Sequence, residues 1–306
     1  MMIMNQIDKK LIVILGPTAT GKTKLATKLA YVFNGEIISA DSRQVYRRMD
    51  IGTGKVTPAE QKMAVHHLLD VVDPNDEFNI SHFKKLAEKA IEDILKRGKV
   101  PIICGGTGFW IKSVVDDMQL PEVKPDKELR TLLSNKSAEE LFEMLKKLDS
   151  ERAGNIDAKN KVRLIRAIEI CKSIGKVPLV NSTLKNKKYN FIQIGIDVPR
   201  DILNEKIKKR LGQRFSAGMI EEVQNLNNPP AGGGVSWERL EYFGLEYRWL
   251  ARYLQQKISL DEMMNKLYFD IIHYAKRQMT WFKKDARILW LKNYTEIEKA
   301  VKKFLD

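Results

Sequence analysis

Residues 11–23 read Leu-Ile-Val-Ile-Leu-Gly-Pro-Thr-Ala-Thr-Gly-Lys-Thr, an apolar run leading into a complete G-x-x-x-x-G-K-[ST] loop. The apolar run reads as a buried strand, and the pattern from Lys22 to about Phe33 as a helix. That order of strand, loop and helix gives the motif its physical content. Glycines let the backbone curl so that successive N–H groups face an anion, and the helix start adds its dipole. Gly16, Pro17, Thr18, Ala19, Thr20, Gly21, Lys22 and Thr23 are thus the candidate cradle for a phosphate or diphosphate. Lys22 supplies a mobile positive charge and Thr23 a hydroxyl for Mg²⁺. The plainer alternative is a Gly-rich turn with a chance lysine. The loop alone names neither the polyphosphate nor the bond that breaks.

Outward from the loop, Glu36–Ser39 reads as a second short strand ending at Asp41, and residues 58–67 read as a helix. Ser81–Lys96 is a strongly amphipathic helix, with Phe83, Leu86, Ala87, Ala90, Ile91, Ile94 and Leu95 on one face and Arg97-Gly98 as its stop. Val100–Cys104 reads as a buried strand ending in Gly-Gly-Thr-Gly. Alternating strands and helices predict a parallel sheet, whose ligands collect at the carboxyl ends of the strands. The loops at 16–23, 41–44 and 105–108 should therefore converge.

From about Asp117 the character changes. A Pro-containing connector leads into residues 126–174, which read as helices with no strand between them. A basic polar stretch, 182–188, follows, and strand character returns at Tyr189–Asp197. We expect residues 117–188 to form a helical insertion in a core made of 1–116 and 189–306. Helices should then run to about Lys283, broken at 227–234, before a last strand at Ala286–Leu291 and a short terminal helix.

The chain has 306 residues, 43% apolar and 30% charged, as a soluble globular enzyme would. No apolar stretch approaches the ~20 residues that span a bilayer. The start lacks the features of a signal peptide. Cys104 and Cys171 lie far apart and suggest neither a disulfide framework nor a zinc knuckle. A reducing, cytoplasmic setting is expected, with no membrane partner. Lys and Arg outnumber Asp and Glu by 53 to 39. Such an excess suits a protein that binds a polyanion better than a kinase of small metabolites. Seven cations stand between Lys266 and Lys292 against Asp270 and Asp285, interleaved with Tyr268, Phe269, Tyr274, Trp281, Phe282 and Trp290. Cations track phosphates and aromatics stack on bases, so this segment is a candidate RNA face.

GPTATGKT (16–23), ADSRQVYR (40–47), DIGTGK (50–55), HHLLD (66–70), GGTGFW (105–110), NKVRLIRAIEI (160–170) and YAKRQMTWF (274–282) occur in register along nearly the whole chain. In these segments the chain resembles the bacterial tRNA dimethylallyltransferases, or isopentenyl-tRNA transferases. The resemblance implies an α/β fold: a P-loop NTPase-like parallel sheet flanked by helices, with a small all-helical insertion domain. It implies transfer of a dimethylallyl group from dimethylallyl diphosphate, with Mg²⁺ as cofactor, by a monomeric enzyme. The acceptor would be the N6 amine of adenosine 37, beside the anticodon, in tRNAs reading codons that begin with U. By the same resemblance Asp41, Thr107 and Arg210 are catalytic. Ser42, Arg43 and Gln44 match the base-contacting segment. Arg130, Val162, Arg163, Leu164, Ile165 and Arg166 match tRNA-contacting positions on the insertion, and Lys276, Arg277, Gln278 and Trp281 match others near the C-terminus.

The chemistry fits those positions. An allylic leaving group needs its growing negative charge neutralised, and a weakly nucleophilic amine needs a base. Asp41 suits the base, although a helix cap or a Mg²⁺ ligand would use the same residue type. Thr107 in a Gly-rich turn has a structural alternative, as do Lys276 and Arg277 as solvated helix decoration. The chain departs from the family pattern with Ile271-Ile272 in place of Thr-Arg and Gly244-Leu245-Glu246-Tyr247 in place of Gly-Tyr-Lys/Arg-Glu. Arg214 also replaces methionine. A P-loop kinase would explain the loop but not the basic aromatic segment. An ATPase would want an aspartate where Val100–Cys104 runs into glycines.

Overall fold

The structure, a computed structural model, describes residues 9–178, 188–229 and 232–306. It divides into two compact units, Met1–Asp117 with Leu184–Asp306, and Met118–Thr183.

The first unit is built on six parallel strands in the order β3-β2-β4-β1-β5-β6. They are β1 (Lys10–Leu15), β2 (Gly35–Ala40), β3 (His66–His67), β4 (Val100–Gly105), β5 (Asn190–Ile196) and β6 (Ile288–Leu291). β1 is central and buried on both sides, which is why it reads as continuous apolar sequence. Its Leu11, Val13 and Leu15 join one core and its Ile12 and Ile14 the other. On the second face lie α1 (Lys22–Val32), through Ala26, Leu29 and Ala30, and the terminal helix at Tyr294–Leu305, through Ile297 and Val301. The first face is covered by α3 (Ile80–Lys96) and α4 (Gly108–Val115), which follow the short α2 (Pro58–Met63), and by the helices after β5. In α3, Phe83, Ala87, Ile91 and Ile94 form the buried stripe, and the Asn79 side chain caps the first turn. Replacing Ile91 or Ile94 by Ala would cost about 2–5 kcal/mol.

The second unit holds α5 (Lys127–Ser134), α6 (Ala138–Leu148), α7 (Ser150–Gly154) and α8 (Lys161–Ile174) around Leu133, Leu141, Leu145, Leu164 and Ile168. Ser137 and Glu140 close a reciprocal capping box at the start of α6. After β5 the first unit continues with α9 (Arg200–Ser216), α10 (Met219–Asn227), α11 (Trp237–Phe243), α12 (Leu245–Leu254) and α13 (Leu260–Phe282), then β6 and α14, the terminal helix already placed.

One expected element needs correction. Residues 58–67 do not form one helix: α2 ends at Met63, Ala64 is extended at φ −154°, and His66 and His67 pair with Ile37 and Ile38. The pull is a buried carboxylate. Glu36 is 2% exposed and takes Arg97, Lys99 and the His67 ring as partners. Together they hold its acid far below the usual carboxylate range, with the Arg97 hydrogen bonds the largest cause. The two histidines face different groups, His66 Nδ1 the Ala64 carbonyl at 2.8 Å and His67 Nε2 the Glu36 carboxylate at 2.7 Å.

Candidate functional site

The strand order sets β2, β4 and β1 side by side, so the loops at their carboxyl ends adjoin. In the first, Gly16 (φ 143°) and Gly21 (φ 88°) take backbone conformations that suit glycine, and Ala19 (φ 64°) shares the left-handed region. The Thr20 hydroxyl donates to the Pro17 carbonyl at 2.9 Å, as does Lys22 Nζ at 2.7 Å. Burial pushes the Lys22 amine down to about 8; Arg210 acts in the same direction, Cys104 and Asp41 against it. The Cys104 thiol is itself pushed up to about 12, chiefly by burial.

Arg210 reaches across from α9, its Nη1 donating to Thr18 Oγ1 at 3.3 Å. Burial, with Arg214 as neighbour, brings it down to about 10. A cavity of about 900 Å³ opens here, walled by Lys22, Thr23, Lys206, Lys209, Arg210 and Arg214 among others. Asp41 and Thr107 are not part of that wall. The Thr23 hydroxyl, beside Lys22, has no hydrogen-bond partner among the described residues, as suits a group able to hold a hydrated Mg²⁺.

Asp41 follows β2. Its Oδ1 accepts the Arg43 N–H at 2.9 Å and, more weakly, the Gln44 N–H at 3.4 Å. This is the local turn that aspartate favours. Oδ2 has no hydrogen bond among the described residues. The carboxylate is near enough to Lys22 and Arg210 to favour the charged form of both. The Ser42 N–H donates to Thr107 Oγ1 at 3.2 Å, which ties the β2 loop to the β4 loop. Arg43 Nε donates to the Phe243 carbonyl at 2.9 Å, and Gln44 links Ser39 with the Gly54 carbonyl.

The C-terminal candidates sit on α13. Lys276, Arg277 and Trp281 are exposed, as are Lys283 and Lys284 just beyond the helix end. Among the described residues none of these four cations forms an ion pair. Trp281 is 41% exposed and meets the exposed Phe109 ring edge-on, centroids 6.1 Å apart. Gln278 does not share that face: it is 7% exposed, on the stripe of Met263, Leu267, Ile271, Ala275 and Phe282.

In the helical unit, Arg130 Nε and Nη2 form a two-pronged contact with Glu169 at 2.7 and 2.9 Å. Arg166 adds Nη1 to the same carboxylate at 3.2 Å and donates Nη2 to the Val123 carbonyl at 2.8 Å. These contacts lower the Glu169 pKa against the opposing pull of burial. Val162 and Arg163 are exposed and Ile165 is half-buried, whereas Leu164 is fully buried in the helical core. The Leu164 side chain therefore packs inward.

Two departures from the family pattern meet each other. Arg214 Nη1 donates to Glu246 Oε1 at 2.7 Å, both side chains being 11% exposed. Nothing local in the sequence could reveal this pair across 32 residues. The Gln278 placement did leave a signal: a lone amide at helical spacing among apolar residues.

A family model described as IPP transferase matches residues 44–285, and one described as isopentenyl transferase matches residues 9–73. The chain is similar to tRNA dimethylallyltransferase 1 of Syntrophus aciditrophicus, 40% identical over 303 residues, covering 96% of this chain and 98% of that one. Its fold is similar to the crystal structure of the tRNA isopentenylpyrophosphate transferase of Bacillus halodurans, with a TM-score of 0.71 and 34% identity over 97% of each chain. It is also similar to a eukaryotic dimethylallyltransferase captured acting on tRNA, with a TM-score of 0.78 and 25% identity, covering 96% of this chain and 77% of that one. The match over most of the chain's length, together with the phosphate loop and its neighbours, makes the chain a member of the IPP transferase family.

Proposed function

We infer that the protein is a tRNA dimethylallyltransferase, a cytoplasmic monomer that prenylates the N6 amine of adenosine 37 in tRNAs reading codons that begin with U. The donor is dimethylallyl diphosphate. The observation that carries this reading is Asp41, with one carboxylate oxygen uncommitted, near two half-buried cations, Lys22 at the end of the phosphate loop and Arg210 from α9.

The loop amides, Lys22 and Arg210 bind the diphosphate and oppose the charge that grows on it. The adenine N6 attacks the donor's first carbon. The C–O bond there breaks, its electron pair leaves with the diphosphate, and the N6 proton passes to the Asp41 carboxylate. Thr107, bonded to the Ser42 amide, keeps the base-binding side in register. A Mg²⁺ ion held through Thr23 would supply further positive charge to the leaving group. The adenosine must leave its stack to reach this site, so Ser42, Arg43 and Gln44 would border a flipped base. Lys276, Arg277, Trp281 and the exposed Val162 and Arg163 would contact the rest of the anticodon stem-loop.

Incubation with an anticodon stem-loop RNA and either labelled dimethylallyl diphosphate or γ-labelled ATP tests the reading. Prenyl label should enter the RNA with release of diphosphate. Transfer of the γ-phosphate, or label in neither product, would overturn it.

A further inference from the structure

Gln278 is a buried strut between the two loops that make the site. Its Oε1 accepts the Thr18 N–H at 2.9 Å and its Nε2 donates to the Gly106 carbonyl at 2.9 Å. The partners are one donor and one acceptor, so only one orientation of the amide satisfies both. The fit depends on glycine: a Cβ at Gly106 would lie 2.4 Å from Nε2. Each end of the strut leads on to a group with chemistry. Thr18 receives Arg210 on its hydroxyl, and Gly106 precedes Thr107, which receives the Ser42 amide next to Asp41.

We propose that Gln278 is a positioning residue for prenyl transfer, setting the spacing between the phosphate loop and the Thr107–Asp41 side, and not an RNA contact. The inference rests on the reading of the loop as the diphosphate site. It also divides α13 by function. The exposed face carries Lys276, Arg277 and Trp281, while the buried face reaches the donor machinery through one amide. Breaking a buried pair of this kind leaves the Thr18 N–H and the Gly106 carbonyl without partners, so the loss falls on loop geometry.

The test uses the parent chain, Lys22→Ala, Gln278→Leu, Gln278→Glu and Gly106→Ala, each checked by thermal unfolding. Dimethylallyl diphosphate binding, tRNA binding across a salt series and the single-turnover rate are measured for each. Gln278→Leu and Gly106→Ala should weaken donor binding by roughly tenfold and slow the saturated rate, while tRNA affinity and salt slope stay within about twofold. Gln278→Glu keeps the acceptor for Thr18 but sets a carboxylate against the Gly106 carbonyl. Its donor binding should recover as pH is lowered, because a protonated carboxyl again donates to Gly106. A mere packing role would not respond to pH in that way.

Parent-like donor binding in the Gln278 variants, with Lys22→Ala impaired, overturns the inference alone. So does a loss confined to tRNA affinity. A parent chain that does not bind dimethylallyl diphosphate removes the loop reading and the inference together.

Discussion

The molecule carries its positive charge in two physical regimes. At the phosphate loop, Lys22 and Arg210 are half-buried, and the loss of hydration brings them down to about 8 and about 10. Along α13 and just past it, Lys276, Arg277, Lys283 and Lys284 stand in solvent. Half-buried charge acts strongly where the local dielectric is low, is less screened by salt, and at Lys22 is lost as pH rises through about 8. Exposed charge acts by releasing counterions from a polyanion, so salt governs it. Arg130 and Arg166 belong to neither extreme. The buried Glu169 holds both in fixed directions, and that ordering is set before any ligand arrives.

The sharpest break between the regimes should come from Asp41, which neighbours the half-buried cations. Asp41→Asn should lower the single-turnover rate by roughly 10²–10⁴-fold, as loss of a general base does, with diphosphate binding largely kept. A loss under tenfold would remove Asp41 from the base role. Lys22→Ala should follow at roughly 10²–10³-fold in the chemical step, with weaker donor binding and little change in salt response. In the parent, anion binding favours the charged amine. Donor affinity should therefore be full below pH 8 and fall as pH rises through 8, by up to about tenfold per unit. Titration calorimetry across pH 7–9.5 would reveal a flat profile if Lys22 stood apart from the donor.

On the exposed side, replacing Lys276, Arg277, Lys283 and Lys284 together by Ala should leave donor binding unchanged. It should reduce the salt slope of tRNA binding by roughly 0.7–0.9 for each RNA phosphate that is no longer neutralised. An unaltered slope would make these cations a solvated helix face and move the RNA surface elsewhere. The smallest effect is expected of Trp281→Ala, at the low end of the roughly 1–3 kcal/mol of a base stack because the ring is partly covered. That effect should be the same at low and high salt.

The contrast also explains what could be read from the sequence. The phosphate loop is local chemistry: glycines, a lysine and a threonine at set spacing after a strand, and the structure has β1 ending at Leu15 and α1 beginning at Lys22. The amphipathic α3 and the strands at β2, β4 and β5 were legible for the same reason, since their periodicity reports their own burial. The edge strand β3 was not. Its His67 is drawn out of a helical pattern by Glu36, 31 residues away in sequence and therefore invisible to a window of neighbours. Exposed cations could be counted in the sequence, but not which of them a carboxylate would claim. Arg130 finds Glu169 across 39 positions, whereas Arg166, three residues before that carboxylate on α8, had the spacing of a helical pair. Gln278 was matched to a tRNA-contacting position, and only the fold supplies its burial and its two partners.

The Glu222 side chain offers a last consequence. Its carboxylate accepts the backbone N–H groups of Asp50, Ile51 and Gly52 at 2.6–3.0 Å, and the Tyr247 hydroxyl donates to it as well at 2.8 Å. A chain segment bordering the phosphate cavity is thus already wrapped around an anion that the protein itself provides. The conformational freedom that such a wall would otherwise surrender on meeting its ligand has been given up during folding. In amide hydrogen exchange these three positions should be slow in the free protein and change little on donor binding. Glu222→Gln, which removes the negative charge, should quicken them first.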